Sequence, residues 1–401
     1  MSCDETIALP ELVQLQRGYD LATGKRRPGS IPVVASAGVV GRHDEAKCQP
    51  PGVVIGRSGS IGGAQFLNEP YWPLNTTLWV RDFHGNDAYY VYWLLKSLDL
   101  SYLNAGSGVP TLNRNHLGAV FVRVFETDEQ RRIAWVLGSL DDKIELNRRL
   151  ARTLEEIAAA IFKARFIDFE GVTEFQDSEI GPIPKGWRES RLGEVTSVTR
   201  GRSYTSAELS PSETGLVTLK SFNRGGGYNE RGAKAYVGDY KPEQVIMPGE
   251  VVVAHTDLTQ ARDVIGRPAR VRSSPQFDVL VASLDLAVVR PAGERVSSDF
   301  LLGLLASRAF RIHAFAHANG STVLHLDSSA IGKFRFALPP ARALDEFAQL
   351  SQPLYRGASA LEEEATMLEA ARDALLPKLI SGSVGVPEGV GPDVDPAAEA
   401  A

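Results

Sequence analysis

From Asp128 to Arg165 the chain has no proline and a single glycine, Gly138. Its apolar residues return at alternating steps of three and four: Ile133, Leu137, Leu140, Ile144, Ala151, Leu154, Ala158 and Ile161, with Asn147 in the same row. That is a heptad seam held for about four repeats, the pattern of a long helix whose stripe packs on another helix. A second seam runs Leu344, Phe347, Ser351, Leu354, Ala358, Leu361, Ala365, Leu368, Arg372, Leu375, Leu379. Each of these lies 214 positions beyond a member of the first seam extended back to Gln130 and on to Arg165. One register shared over eleven positions predicts two long helices paired antiparallel with each other, rather than each folding onto its own domain. Thr127 and Gln130 have capping-box spacing at the first start. Pro377 should stop or kink the second helix near Leu376. At 1.5 Å per residue each helix is about 55 Å long.

The repeat reaches beyond the helices. Gly106-Ser107 falls on Gly320-Ser321 and Leu117-Gly118 on Ile331-Gly332 with the same step. Further upstream the step drifts, as loops of unequal length require, yet Val91–Ser97 still resembles Leu301–Ser307 and Leu15–Gly18 resembles Val198–Gly201. The chain is therefore a tandem duplication, a globular unit then a helix, twice over. The expected segments are a first unit at 1–126, a central helix at 127–170, a second unit at 171–341, a distal helix at 342–381 and a tail at 382–401. The fold class is α+β, with the two globular units separated by the helix pair and related by a pseudo-two-fold axis. Strands are expected at Ile31–Ala35, Gly52–Gly56 and Thr76–Val80, then at Val217–Lys220, Val245–Ala254, Leu284–Val289 and Phe334–Leu338. Helices are expected near Ala88–Leu98 and Ser298–His313.

Two cysteines, Cys3 and Cys48, cannot build a disulfide framework, and no stretch approaches the ~18 apolar residues of a membrane span, so a reducing cytoplasm is the expected setting. The 401 residues carry a net charge of −6, which argues superficially against a nucleic-acid partner. Its distribution removes the objection. Residues 1–126 hold 11 basic and 11 acidic side chains and residues 171–341 hold 20 and 18, while 342–381 hold 4 and 7 and 382–401 hold 0 and 4. The acid sits in the distal helix and in a Gly- and Pro-rich tail expected to be disordered.

Catalytic signatures are missing. There is no NPPY-like tetrapeptide, no glycine fingerprint after a strand, no P-loop and no HExxH, and His313 with His317 has no acid nearby in sequence. Three basic groups stand out instead: Lys25-Arg26-Arg27; Lys185, Arg188, Arg191, Arg200 and Arg202; and Arg262, Arg267, Arg270 and Arg272. With aromatics interleaved, they point to nucleic acid. Arg57-Ser58-Gly59-Ser60-Ile61-Gly62-Gly63 forms a glycine-rich turn whose Arg57 and Ser58 suit a phosphate or a base edge.

At this point the residues match a family. Leu15-Gln16-Arg17-Gly18-Tyr19-Asp20-Leu21, the run from Gly52 to Gly62, Trp72–Thr77 and Pro110–Arg114 resemble the first target-recognition domain of a type I restriction-modification specificity subunit. Glu129–Ala134 with the seam and Phe162–Phe169 resembles its central helix. Ile183–Trp187 resembles the opening of its second recognition domain, and Leu338-Pro339-Pro340 with Leu375–Gly382 the ends of its distal helix. The resemblance departs at Arg123–Glu126, where a Leu-Pro-Pro entry is missing, and at Asp345–Phe347, where a Glu-Gln pair is missing. It implies a non-catalytic subunit that reads double-stranded DNA as a bipartite asymmetric site. Two modification subunits, N6-adenine methyltransferases using S-adenosylmethionine, would dock on the helices, and restriction subunits using ATP and magnesium would join them. No cofactor, metal or membrane belongs to this chain on that reading.

Charge, loop position and repeat equivalence select the DNA-contacting candidates. They are Arg17, Tyr19, Lys25, Arg57, Ser58 and Asn75 in the first unit, and Arg200, Arg202, Tyr204, Lys220, Asn223, Arg262 and Arg267 in the second. A coiled-coil scaffold joining two proteins is the rival reading, and it predicts no salt-dependent DNA binding.

Overall fold

Both seams are helices, Thr127–Phe166 and Ala341–Ile380, of 40 residues each, so each is about 60 Å long. A computed structural model describes residues 6–223, 226–257, 263–320 and 323–391. Cys3, Arg262, Ser321 and residues 392–401 of the tail lie outside the described residues. Every seam position is buried or half-buried and none is exposed, the burial that the heptad spacing requires. Gly138 has a steric reason, since a Cβ there would stand 2.6 Å from the Tyr89 ring.

Three expectations, two about the helices and one about the tail, need correction. Gln130 closes no capping box: its amide donates to Asn86 Oδ1 and the Phe125 carbonyl and accepts from the Asp87 amide, stitching the helix start to the loop before Ala88–Ser97. Pro377 does not stop the distal helix, which continues to Ile380. The missing N–H leaves only the Asp373 carbonyl without its helical partner, and Leu376, Leu379 and Ile380 bury in the first unit's core around it. Pro353 is likewise accommodated inside the same helix. The start of the tail is not wholly solvated either. Val386 packs on that core and the Val384 amide donates to the Lys378 carbonyl.

The chain divides into two units, Met1–Glu145 with Met367–Ala401, and Leu146–Thr366, so each takes part of both helices. The first has a four-stranded antiparallel sheet in the spatial order Gln14–Arg17, Thr77–Asp82, Gly52–Gly56, Gly62–Leu67. The second has the same sheet in the same order from Thr196–Arg200, Leu286–Pro291, Val251–Ala254 and Pro268–Arg270. The register repeats as well. Arg17 faces Leu78 as Arg200 faces Ala287, and Val54 faces Trp79 as Val252 faces Val288. Beside it, each unit pairs two strands in parallel, Val34 with Pro73 and Val217 with Ala282. The α+β tandem duplication is thus reproduced pair by pair.

Within each unit the two helices pack together antiparallel. In the first, Asp141 meets Arg372, while Ile133 and Leu137 share a core with Leu376 and Leu379. In the second, Leu154 lies against Gly357 and Arg165 pairs with Glu346 at 3.6 Å, so one number falls as the other rises. Phe162, Phe166, Phe300 and Phe347 make the aromatic centre of the second core, with rings 5.1 to 5.7 Å apart.

In the second unit two long expected runs are broken. Val245–Ala254 is two strands in different sheets, because Met247–Glu250 turns through Gly249 at φ +90°. Ser298–His313 is two helices, Ser298–Ala306 and Arg308–Ala316, because the Ser307 side chain accepts from the Phe310 amide and starts a new helix. The run expected at Val217–Lys220 is a strand at Thr214–Val217 followed by a tight turn.

Asn147 is fully buried in the seam with neither amide atom hydrogen-bonded. An unpaired buried amide costs about 1–3 kcal/mol, and the equivalent position in the repeat is Leu361. Asn147→Leu should therefore raise the midpoint of urea unfolding, with a gain of about 1–2 kcal/mol.

Candidate nucleic-acid interface

In the first unit the strand Gly52–Gly56 ends where a Cβ on Gly56 would lie 2.1 Å from the Ser60 carbonyl oxygen, so only glycine lets the chain fold back there. Arg57 and Ser58 follow. Both amides donate to the Thr76 carbonyl, at 2.9 and 3.0 Å, and the Leu112 amide donates to the Arg57 carbonyl at 2.7 Å. The Asn75 amide donates to the Tyr19 carbonyl and the Gly18 amide to that of Thr77. Four separate loops are thereby tied to one end of the sheet.

The result is a recess of about 770 Å³ floored by Leu78 and Leu112 and walled by Arg17, Arg57, Arg81, Arg114, Gln16, Thr111 and Asn113. Among the described residues no carboxylate lines it. Arg57 is half-buried and donates to the Asn75 carbonyl at 3.1 Å, while Arg17 stands 3.9 Å from Asp20 at the rim. Asn75 itself is bonded to Asp20. Of the six candidates in this unit, Arg17, Arg57, Ser58 and Asn75 come together here, with Ser58 bridged to Thr111. Tyr19 supports the site from beneath: its ring packs against Trp72 and Trp79 at 6.4 and 6.3 Å. Lys25 stands exposed on its own turn, Thr23–Lys25. Arg81 and Arg114 were missed. Only the outward-facing alternation of their strand for Arg81, and the Pro110–Arg114 string for Arg114, signals them.

The second unit repeats most of this frame. The Gly201 amide donates to the Leu286 carbonyl, the Leu284 amide to that of Arg202, and the Leu326 amide to that of His255 at 2.8 Å. Thr256 pairs with His325 as Ser58 pairs with Thr111. Arg200 therefore occupies the place of Arg17, Arg202 that of Tyr19, His255 that of Arg57, Leu284 that of Asn75 and Asp327 that of Asn113. His255 is 2% exposed, and burial, Arg200 and His325 push its imidazole down to about 4, so it is neutral at pH 7.

The remaining candidates spread over other parts of the second unit. Lys220 and Asn223 are exposed around the turn Leu219–Ser221, Tyr204 packs on Leu216, Tyr236 and Val281, and Arg202 is half-buried. Arg267 faces Arg311 across a cavity of about 510 Å³ and donates to the Asp263 carbonyl, and burial pulls its pKa down. Its neighbours in sequence serve the fold instead. Arg270 pairs with Asp299 at 3.0 Å over the Tyr355 ring, and Arg272 pairs with Glu155 and Glu362, each at 3.0 Å. Lys185 pairs with Glu174, Arg188 with Glu194 and Arg27 with Asp44. His313 and His317 bond to the Ala330 and His313 carbonyls. Among the described residues no His, Cys, Asp and Glu gather as a metal would require, and no helix is long and apolar enough to cross a membrane.

Two outcomes follow. Arg272→Ala should cost unit two about 3–5 kcal/mol, because it strands Glu155 and Glu362, whereas Arg200→Gln should leave stability within ~0.5 kcal/mol. His255 titrates near 4 when folded against 6.5 when free, so the unfolded chain binds the extra proton between those values and stability rises with pH across that window. Urea midpoints of the His255→Gln variant should show a shallower loss on acidification from pH 6.5 to 4.

Known proteins agree with this geometry. Residues 5–156 match the family model of the type I restriction modification DNA specificity domain. The type I restriction enzyme MjaIX specificity subunit of Methanocaldococcus jannaschii is 29% identical over 79% of this chain and 74% of its own length. The MjaVIII specificity subunit of the same organism is 23% identical over 75% and 71%. The crystal structure of a type I restriction-modification S subunit from M. genitalium aligns with a TM-score of 0.58 at 15% identity, over 94% of this chain and 96% of that one, and so shares its fold. Residues 5–156 thus carry a type I restriction modification DNA specificity domain, and with its duplicated frame and paired helices the chain as a whole is similar to the specificity subunits of type I restriction-modification systems.

Proposed function

We propose that this chain reads a bipartite, asymmetric DNA site, one half with each unit, in the cytoplasm and as part of a larger assembly. The observation that supports this reading most is the doubled frame with unlike side chains. Matching backbone bonds present Asn75 and Asn113 in one unit and Leu284 and Asp327 in the other. Equal frames dock on DNA alike, and unequal side chains read different bases, so the two halves of the target differ.

The recognition segments are 1–126 and 171–341, and the helices at 127–170 and 342–381 hold the half-sites at a set spacing. Two modification subunits dock on those helices and supply S-adenosylmethionine and the flipping of adenine; restriction subunits bring ATP and magnesium. Base contacts fall to amides such as Asn75 and Asn223, which suit adenine, and to Arg202 and Arg267, which suit guanine. Ser58, Lys25 and Lys220 hold the backbone, with Arg262 assigned beside them from its charge alone.

Mapping methylated bases in cells carrying this chain and its modification subunit tests the reading. Asn75→Ala should relax one position in one half of the motif and Asn223→Ala one position in the other half. Each should cost about 1–3 kcal/mol of discrimination at that position. Changes confined to the same half, or none in either, would sink the two-reader scheme, and a scaffold would show no motif at all.

A further inference from the structure

The two frames can be compared residue by residue at the recess, and they differ most in charge. Arg17, Arg57, Arg81 and Arg114 converge on one concavity in the first unit. At the same strand and loop positions the second unit has Arg200, His255, Arg290 and Ser328. Arg200 alone of these is a cation open to solvent. His255 is buried, and Arg290 is engaged by Glu250 at 2.5 Å and by the Glu243 and Val245 carbonyls. Asp327, in the place of Asn113, adds a negative charge.

Three features mark the first recess as an anion seat. Among the described residues no carboxylate pairs with Arg57, Arg81 or Arg114, although this unit holds as many acidic as basic side chains in residues 1–126. Repulsion among four guanidinium groups is tolerated only where water or an anion offsets it. Arg57 is also tethered by its bond to the Asn75 carbonyl, which fixes one face of the fork and leaves the charge directed into the recess.

We propose that the two units grip DNA unequally: the arginine recess of the first seats a backbone phosphodiester, and the corresponding place in the second seats none. This rests on the DNA-reading function and adds to it which unit anchors the duplex. The second unit then depends on neutral and single-cation contacts and on partner subunits for its hold on the backbone. Its half of the site is consequently bound with the shallower salt dependence.

The test uses the full chain assembled with its modification subunit and a mixed-sequence duplex, because phosphate binding is independent of sequence. The observable is the slope of log affinity against log salt. Arg57→Gln with Arg114→Gln should flatten that slope by about one, near 0.9 for the one phosphate that is no longer neutralised. The matching Arg57→Lys with Arg114→Lys should keep it, since a phosphate accepts a point charge where a base edge needs the planar fork. Arg200→Gln should alter it by less than half as much as the glutamine pair. An unchanged slope with an altered methylation motif would overturn the proposal and make the recess a base reader. Equal flattening by Arg200→Gln would overturn the asymmetry. A parent complex without salt-dependent binding would instead bring down the DNA-reading function itself.

Discussion

One backbone bond organises the loops at one end of the sheet in each unit: the Leu112 amide to the Arg57 carbonyl, repeated as the Leu326 amide to the His255 carbonyl. It ties the loop that follows the sheet's central strand to a segment more than fifty residues later, and both ends of that closure are main-chain atoms. Because it uses no side chain, the residues on either side are free to vary without loosening the frame. That is the physical condition for a reader whose specificity can change while its fold does not. Arg57 and His255 could hardly differ more in charge at pH 7, yet the bond behind each is 2.7 and 2.8 Å.

The helices solve a different problem with the same economy. Their seam is built from leucine and isoleucine at the larger positions and from Ala151, Ala158, Ala358, Ala365 and Ser351 at the smaller ones, all five nearly inaccessible. Small side chains bring two helices close, and polar groups at the edges set which residues meet. Arg372 with Asp141 in the first unit and Arg272 between Glu155 and Glu362 in the second are edge contacts of this kind. Their worth lies in register more than in energy, since desolvation consumes much of the attraction.

Much of this was legible in the sequence because it is periodic. Heptads reveal a buried stripe wherever it faces, and a shared step of 214 reveals the duplication without any knowledge of contacts. What stayed hidden was decided by single residues or by distant partners. Gly249 splits a run of valines that reads as one strand, and Ser307 caps a helix within a run that reads as one. Pro377 reads as a stop, but the apolar residues around it outweigh one lost bond. The arginines from 262 to 272 read as one basic face. Two of them are bound by Asp299, Glu155 and Glu362, acids that no local window places nearby.

The same fact explains why net charge misleads about binding in this chain. The second unit has more arginines than the first, but Arg270, Arg272 and Arg290 are paired with acids, whereas among the described residues the first unit leaves Arg57, Arg81 and Arg114 without a carboxylate partner around a single recess. What a polyanion meets is the charge that the fold does not neutralise, and that depends on where the carboxylates are sent. In the first unit Asp44 and Glu45 go to Arg27 and Lys47, away from the recess. In the second, Glu250 goes to Arg290, at the strand position that Arg81 fills in the first. A duplicated frame thus diverges in its electrostatics through the placement of acids as much as through the loss of bases.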